Sequence, residues 1–238
     1  SSSDFSLLEG THSYTFGLDK NATESSSPYT FCYLNQSFKA TLINTPPSAL
    51  GISLVHDTGI SQTDHITNDG HISITGAKDG AQIQYQVDGG TWKAINYFGL
   101  TPQNESITAV EGSHQYNVRQ IDQAGNISAI SSLNVTLDTT GPSNIHVSTS
   151  SDKTHLVFSA NEAITGINYR VAGYGSSWFT ESAFEKLAQS NSGLLRVKAR
   201  LTDAAGNSAT TEQFYVQFDQ SHQHIAQLSG QYGSHLVI

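Results

Sequence analysis

Apolar and polar residues alternate with a period of two along most of this chain, the pattern of strands that bury one face and wet the other. In the run Gln82 to Val87, Ile83, Tyr85 and Val87 share one face while Gln82, Gln84 and Gln86 share the other. Leu133, Val135 and Leu137 alternate in the same way. Between about 48 and 139 seven such runs follow one another: ISLVH, HISITG, QIQYQVD, TWKAIN, ESITAV, HQYNVRQ and SSLNVTL. Seven short strands predict a sandwich. Asp69-Gly70, Asp79-Gly80 and Asp88-Gly89-Gly90 supply the left-handed positions that tight connections need. One helical cue stands out: a capping box at Ser182 and Glu185 precedes Phe184, Leu187 and Ala188 at helical spacing, enough for two short turns.

Laid on itself, the chain repeats. Residues 112–138 align without a gap on 193–219 at an offset of 81, which places Asp122-Gln-Ala-Gly125-Asn126 on Asp203-Ala-Ala-Gly206-Asn207 and Asp138 on Asp219. A fainter copy opens the chain, where EGTHSYTF (9–16) mirrors EGSHQYNV (111–118) and FKATLINTPPS (38–48) mirrors LNVTLDTTGPS (133–143). There Asn44 is expected in the role of Asp138. The repeat divides the chain into a degenerate unit at 1–47 that holds only last strands, a complete unit at 48–139, a second complete unit at 140–219 carrying the helical insertion, and a linker or tail at 220–238.

Three motifs in this order, DTGISQTDHITNDG (57–70), the VRQIDQAGN turn and the unit-closing LDTTGPS, resemble the bacterial immunoglobulin-like repeats of giant type I-secreted (RTX-type) surface adhesins. The resemblance covers about 48–219 well and the first 46 residues in part. It implies an all-β fold of tandem immunoglobulin-like Greek-key β-sandwiches, export to the bacterial cell surface, a role in adhesion and biofilm, and calcium that stiffens the array. Neighbouring units of the same chain are then its first partners, with a host or microbial surface glycan or protein as a further one, and the chain is expected to be a monomer. The unit at 140–219 has Ser150, Ser151, Asp152 and Lys153 where the preceding one has the DTGIS loop, so it is expected to lack that metal site.

Charge narrows the partners. Eleven Lys and Arg against twenty Asp and Glu give a net charge of −9, and no basic run exceeds two residues, so nucleic acid is not an expected partner. No apolar run approaches the length of a membrane span, and the first thirty residues lack the basic-then-apolar order of a signal peptide. The single cysteine, Cys32, has no partner for a disulfide in the chain and reads as a buried strand residue. None of the common catalytic motifs is present, the ten histidines include no metalloprotease pattern, and Glu105 with Glu111 make a weak glycosidase pair, so no enzyme is expected.

Calcium takes six to eight oxygen ligands, and Asp57, Asp64 and Asp69 bring many hydroxyl and amide oxygens with them in one loop. Asp122 at the unit's far end and Asp138 at its exit are further candidates, and Asp203, the counterpart of Asp122, offers either a ligand or, as its first reading, a turn. Each of these residues has an ordinary alternative as a turn or cap. Tyr169, Tyr174, Trp178 and Phe179 surround two glycines and offer either an aromatic platform for a glycan or peptide, or core residues of a sandwich. Trp92 faces the same choice, and Tyr116 is placed to form a tyrosine corner.

Overall fold

The computed structural model describes residues 10–16, 36–95, 105–191, 193–219, 221 and 223–230. Cys32, expected as a buried strand residue, and His222, in the stretch expected as linker or tail, lie outside the described residues. At the start, β1 (Gly10–Phe16) pairs antiparallel with β2 (Gln36–Leu42), with Gly10 opposite Leu42.

The second unit contains β3 (Gly51–Leu54), β4 (Ile66–Thr67), β5 (His71–Thr75), β6 (Gln82–Val87), β7 (Lys93–Ala94), β8 (Glu105–Thr108), β9 (Gly112–Ile121) and β10 (Ser131–Leu137). All seven runs read from the alternation form strands, and β4 is an eighth, inside the loop that carries Asp57 to Asp69. Strands β3, β5 and β8 make one sheet, and β4, β10, β9, β6 and β7 in that order make the other. Period-two burial fills the space between them: Ile72 and Ile74 from one sheet meet Ile83, Tyr116, Val118 and Val135 from the other, each 2% exposed or less. Tyr116 anchors the corner as expected, because its hydroxyl accepts a hydrogen bond from the Val110 amide at 2.7 Å.

The third unit contains β11 (His146–Thr149), β12 (Leu156–Ser159), β13 (Gly166–Val171), β14 (Phe179–Thr180), α1 (Glu181–Gln189), β15 (Leu195–Thr202), β16 (Ser208–Thr210), β17 (Phe214–Phe218) and β18 (Ile225–Gly230). The order β14-β13-β15-β17-β18, with β16 on the free length of β15, reproduces the larger sheet of the second unit. Among the described residues the opposing layer has only β11 and β12. The helix completes it: Phe184 of α1 stacks on Tyr169 of β13 with ring centroids 4.2 Å apart and an interplanar angle of 13°, in the core. The cap lies two residues before the expected Ser182, since the Thr180 hydroxyl accepts from the Ala183 amide and the helix runs nine residues. Apart from α1 the described chain is β-structure of sandwich type, the fold class expected from the sequence.

Residues 225–230, in the stretch expected to be linker or tail, form an edge strand of the third unit. In the second unit that edge of β10 is covered by β4. The third unit has only a tight turn in the corresponding loop, and β18 covers β17 instead, with the Ile225 amide bonded to the Lys153 carbonyl of that turn at 2.7 Å.

Candidate functional site at the junction between units

Each Asp-x-Ala-Gly-Asn motif closes a tight turn on itself. Asp122 Oδ1 accepts from the amides of Ala124 and Asn126, and Asp203 Oδ1 from those of Gly206 and Asn207. The motif's asparagine then reaches outside its unit. Asn207 Nδ2 donates to the Asp138 carbonyl at 2.7 Å, and Asn126 Nδ2 donates to the Ile43 carbonyl at 2.8 Å. A turn that looks purely local in sequence thus ties each of the two complete units to the segment preceding it. The same pairing corrects the alignment of the opening copy. Gly10 opposite Leu42 matches Gly112 opposite Leu137, so the residue in the place of Asp138 is Ile43, not Asn44.

The loop 57–70 docks on the third unit. The Thr58 hydroxyl donates to the Ala205 carbonyl at 2.6 Å. A methyl group on Gly59 would lie 2.0 Å from the Ala204 carbonyl oxygen, and one on Gly206 would lie 2.9 Å from the Gly59 nitrogen, so two backbones touch where only glycine fits. A methyl on Gly125, the counterpart of Gly206, would have nothing within 4 Å among the described residues. Thr67 ties the loop together at 0% exposure by donating its hydroxyl proton to the His56 carbonyl.

The three aspartates of this loop do not converge on one point. Asp57 Oδ2 caps the His65 amide, Asp64 Oδ1 caps the Ile66 amide and lines a different depression, and Asp69 sits between two histidine rings. Contacts from His71 and then His56 lower Asp69 to about 2. Asp57 Oδ1 is buried with no hydrogen-bond partner among the described residues.

What the structure does gather is Asp138, Glu162 and Asp203, whose carboxylate oxygens lie within 4.8 Å of one another, the one such group of three among the described residues. Asp138 comes from the exit of the second unit, Glu162 from the turn before β13, and Asp203 from the turn after β15. Asp138 Oδ1 accepts from the amide and hydroxyl of Thr140, and Asp203 is 2% exposed. Glu162 Oε1 is buried without a hydrogen-bond partner among the described residues. Burial and the charges of Asp138 and Asp203 push Glu162 above the ordinary glutamate range. All donors here are hard oxygens, and the cluster has an unsatisfied acceptor with excess negative charge, a set that fits a calcium ion.

The first junction supplies an internal contrast. Gln82 opposite Ile121 corresponds to Gly166 opposite Thr202, so Lys78 holds the position of Glu162 four residues earlier. Ile43, Lys78 and Asp122 stand where the second junction has three acids. Asp122 is lowered first by its Asn126 contact, with the Lys78 charge as a smaller contribution. Of the five aspartates expected to ligate, only Asp138 belongs to the cluster. Glu162 is hidden in the sequence because its stretch does not align between the two units, and Asp203, which reads first as a turn, both closes that turn and joins the cluster.

The aromatic residues separate into two sets. Tyr169 is 1% exposed and Phe179 packs against the same core, so neither belongs to a surface platform. Tyr174 is exposed and its hydroxyl donates to Asn191 Oδ1. Trp178 lies half-buried on the outer face of the sheet beneath the Arg200 guanidinium, 4.9 Å from the ring centroid, and Trp92 lies likewise beneath Arg119 at 4.0 Å. Both tryptophans therefore serve as outer supports and not as core.

No helix among the described residues is long and apolar enough to cross a membrane. A comparison with curated proteins found no match. Residues 44–139, the span of the second unit, match the family of bacterial Ig-like domains, so this unit is similar to that family in sequence as well as in its two-sheet fold.

Proposed function

We propose that the chain is an extender segment of a bacterial surface adhesin of the RTX type, non-catalytic, in which calcium held by Asp138, Glu162 and Asp203 fixes the angle between successive units. The observation that carries this reading is the buried, unpartnered Glu162 Oε1 facing two further carboxylates at a unit boundary. Without a cation the three charges repel one another across that boundary. A bound divalent ion would replace repulsion by a bridge and stabilise the folded junction by about 2.7 kcal/mol at a hundredfold excess over its dissociation constant. The docked loop, with Thr58 on Ala205 and Gly59 against Ala204, supports the same role because it adds a second point of contact and so restricts rotation. Where Lys78 replaces the glutamate, the first junction carries its own cation and is expected not to depend on calcium.

Thermal melting after chelation and again with calcium restored tests this. Glu162→Gln is expected to raise the chelated midpoint, because a buried repulsive charge is removed, and to abolish the calcium-dependent rise of the wild type. The proposal fails if wild type and Glu162→Gln melt alike in both conditions.

A further inference from the structure

The outer face of the third unit's larger sheet is built on the same register as that of the second, with different chemistry. On β9 and β6 the outward residues are Gln115, Asn117 and Arg119, with Gln84 opposite Arg119 and Gln86 opposite Asn117. On β15 and β13 the same positions hold Arg196, Lys198 and Arg200, with Asn168 opposite Arg200 and Arg170 opposite Lys198. Three neutral amides have become three cations on an unchanged scaffold. The unit at 48–139 carries nine acidic and three basic residues, whereas that at 140–219 carries seven and six.

Arg196, Lys198 and Arg200 alternate along one strand and so span about 13 Å in a straight row. Arg170 lies beside the middle of the row. Arg170, Arg196 and Lys198 are exposed, and none has an ion-pair partner among the described residues. Like charges directly opposite on a sheet destabilise it, so the third unit carries a cost that its neighbour on the same scaffold avoids. A shallow depression between the strands is lined by Arg170, Gly175, Arg196, Lys198 and Gln213. Helix α1 packs on the core side of this sheet through Phe184, so its stacked ring leaves the cationic face uncovered.

From this face we infer that the third unit binds a linear acidic polysaccharide, one whose sugars carry carboxylate or sulfate groups. Charge complementarity supplies the attraction, and at physiological ionic strength a screening length of about 8 Å keeps the distant acidic junction from cancelling it. Asn168, Gln213 and Tyr215 beside the cations offer amide and hydroxyl groups to sugar hydroxyls, with Tyr215 directly opposite Arg196. Nucleic acid is disfavoured here because the ring at this end of the row, Trp178, already has a guanidinium laid over its face and cannot stack a base.

The test uses the full chain and a fluorescent oligogalacturonate, with a heparin oligomer as the sulfated counterpart, dextran as the neutral one and a single-stranded oligonucleotide of equal charge. Wild type is expected to bind the acidic sugars, more weakly as salt rises, and to leave dextran unbound. Replacing Arg170→Gln, Arg196→Gln and Lys198→Asn together installs the second unit's own residues, so the fold should persist; binding should weaken about tenfold or more. In that variant, Gln86→Arg with Gln115→Arg and Asn117→Lys should restore binding on the other unit. The inference is overturned if neither acidic sugar binds, if wild type and the triple variant bind equally, if dextran competes, or if the oligonucleotide binds more tightly than both acidic sugars.

Discussion

Gly125 and Gly206 occupy the same position of the same turn, with φ of +90° and +95°, and differ only in what lies beyond them. Changing either to alanine forces an L residue into the left-handed region at a cost of about 1–2 kcal/mol. For Gly125→Ala that is the whole expectation, because no described residue stands within 4 Å of the new methyl. For Gly206→Ala the methyl lies 2.9 Å from the Gly59 nitrogen and 3.0 Å from its Cα, both backbone atoms that cannot step aside singly. The docked loop must lift, and the Thr58 bond to the Ala205 carbonyl goes with it, worth about another 1 kcal/mol. The total is about 2–3 kcal/mol, with a changed angle between the units. Each complete unit contains one tryptophan, Trp92 or Trp178, so fluorescence melting follows them separately in Trp→Phe backgrounds, and solution scattering reads the angle. Equal losses for the two variants with unchanged scattering would refute the argument that the loop is an inter-unit clamp.

Other consequences are simpler to state. Tyr116→Phe leaves the Val110 amide without its acceptor and should lower the second unit's stability by about 1 kcal/mol, read as a melting shift on Trp92 alone. Phe184→Ala removes a ring stacked on Tyr169 inside the third core and should cost about 3–5 kcal/mol, seen by circular dichroism and on Trp178. The His114 contact with Asp88, at 2.6 Å, raises His114 above 6.5 and lowers Asp88 below 3.8. Its stabilisation is therefore complete below the unfolded histidine value and is lost as pH rises through the folded one. The second unit's midpoint should fall more over that interval in wild type than in His114→Gln, as melting across buffers from about pH 6 upward would show.

The strands were legible because a sheet buried on one face writes period two into the sequence, as Gln82 to Val87 illustrates, and the repeat was legible because Asp122 and Asp203 share a turn that tolerates few substitutes. Less could be read where function rests on contacts between units. The loop 57–70 offers many oxygens within a short span, yet its carboxylates cap the His65, Ile66 and His71 amides at separate points, and the gathered acids come from three places separated by some 65 residues of chain. Linear spacing records local turns and misses such convergence. The helix was visible from its apolar spacing, but not that it replaces a strand, since Phe184 on Tyr169 is a tertiary contact. The cationic row escaped notice because Arg196, Lys198 and Arg200 are interleaved with core residues and form no run of basic letters.

Solution scattering on the full chain, with chelator and then with calcium, measures most directly whether an ion at Asp138, Glu162 and Asp203 sets the angle between the units. Calcium should narrow and lengthen the distance distribution of wild type and leave that of Glu162→Gln unchanged. Identical curves for wild type under both conditions, or an equal response in the variant, would contradict the account.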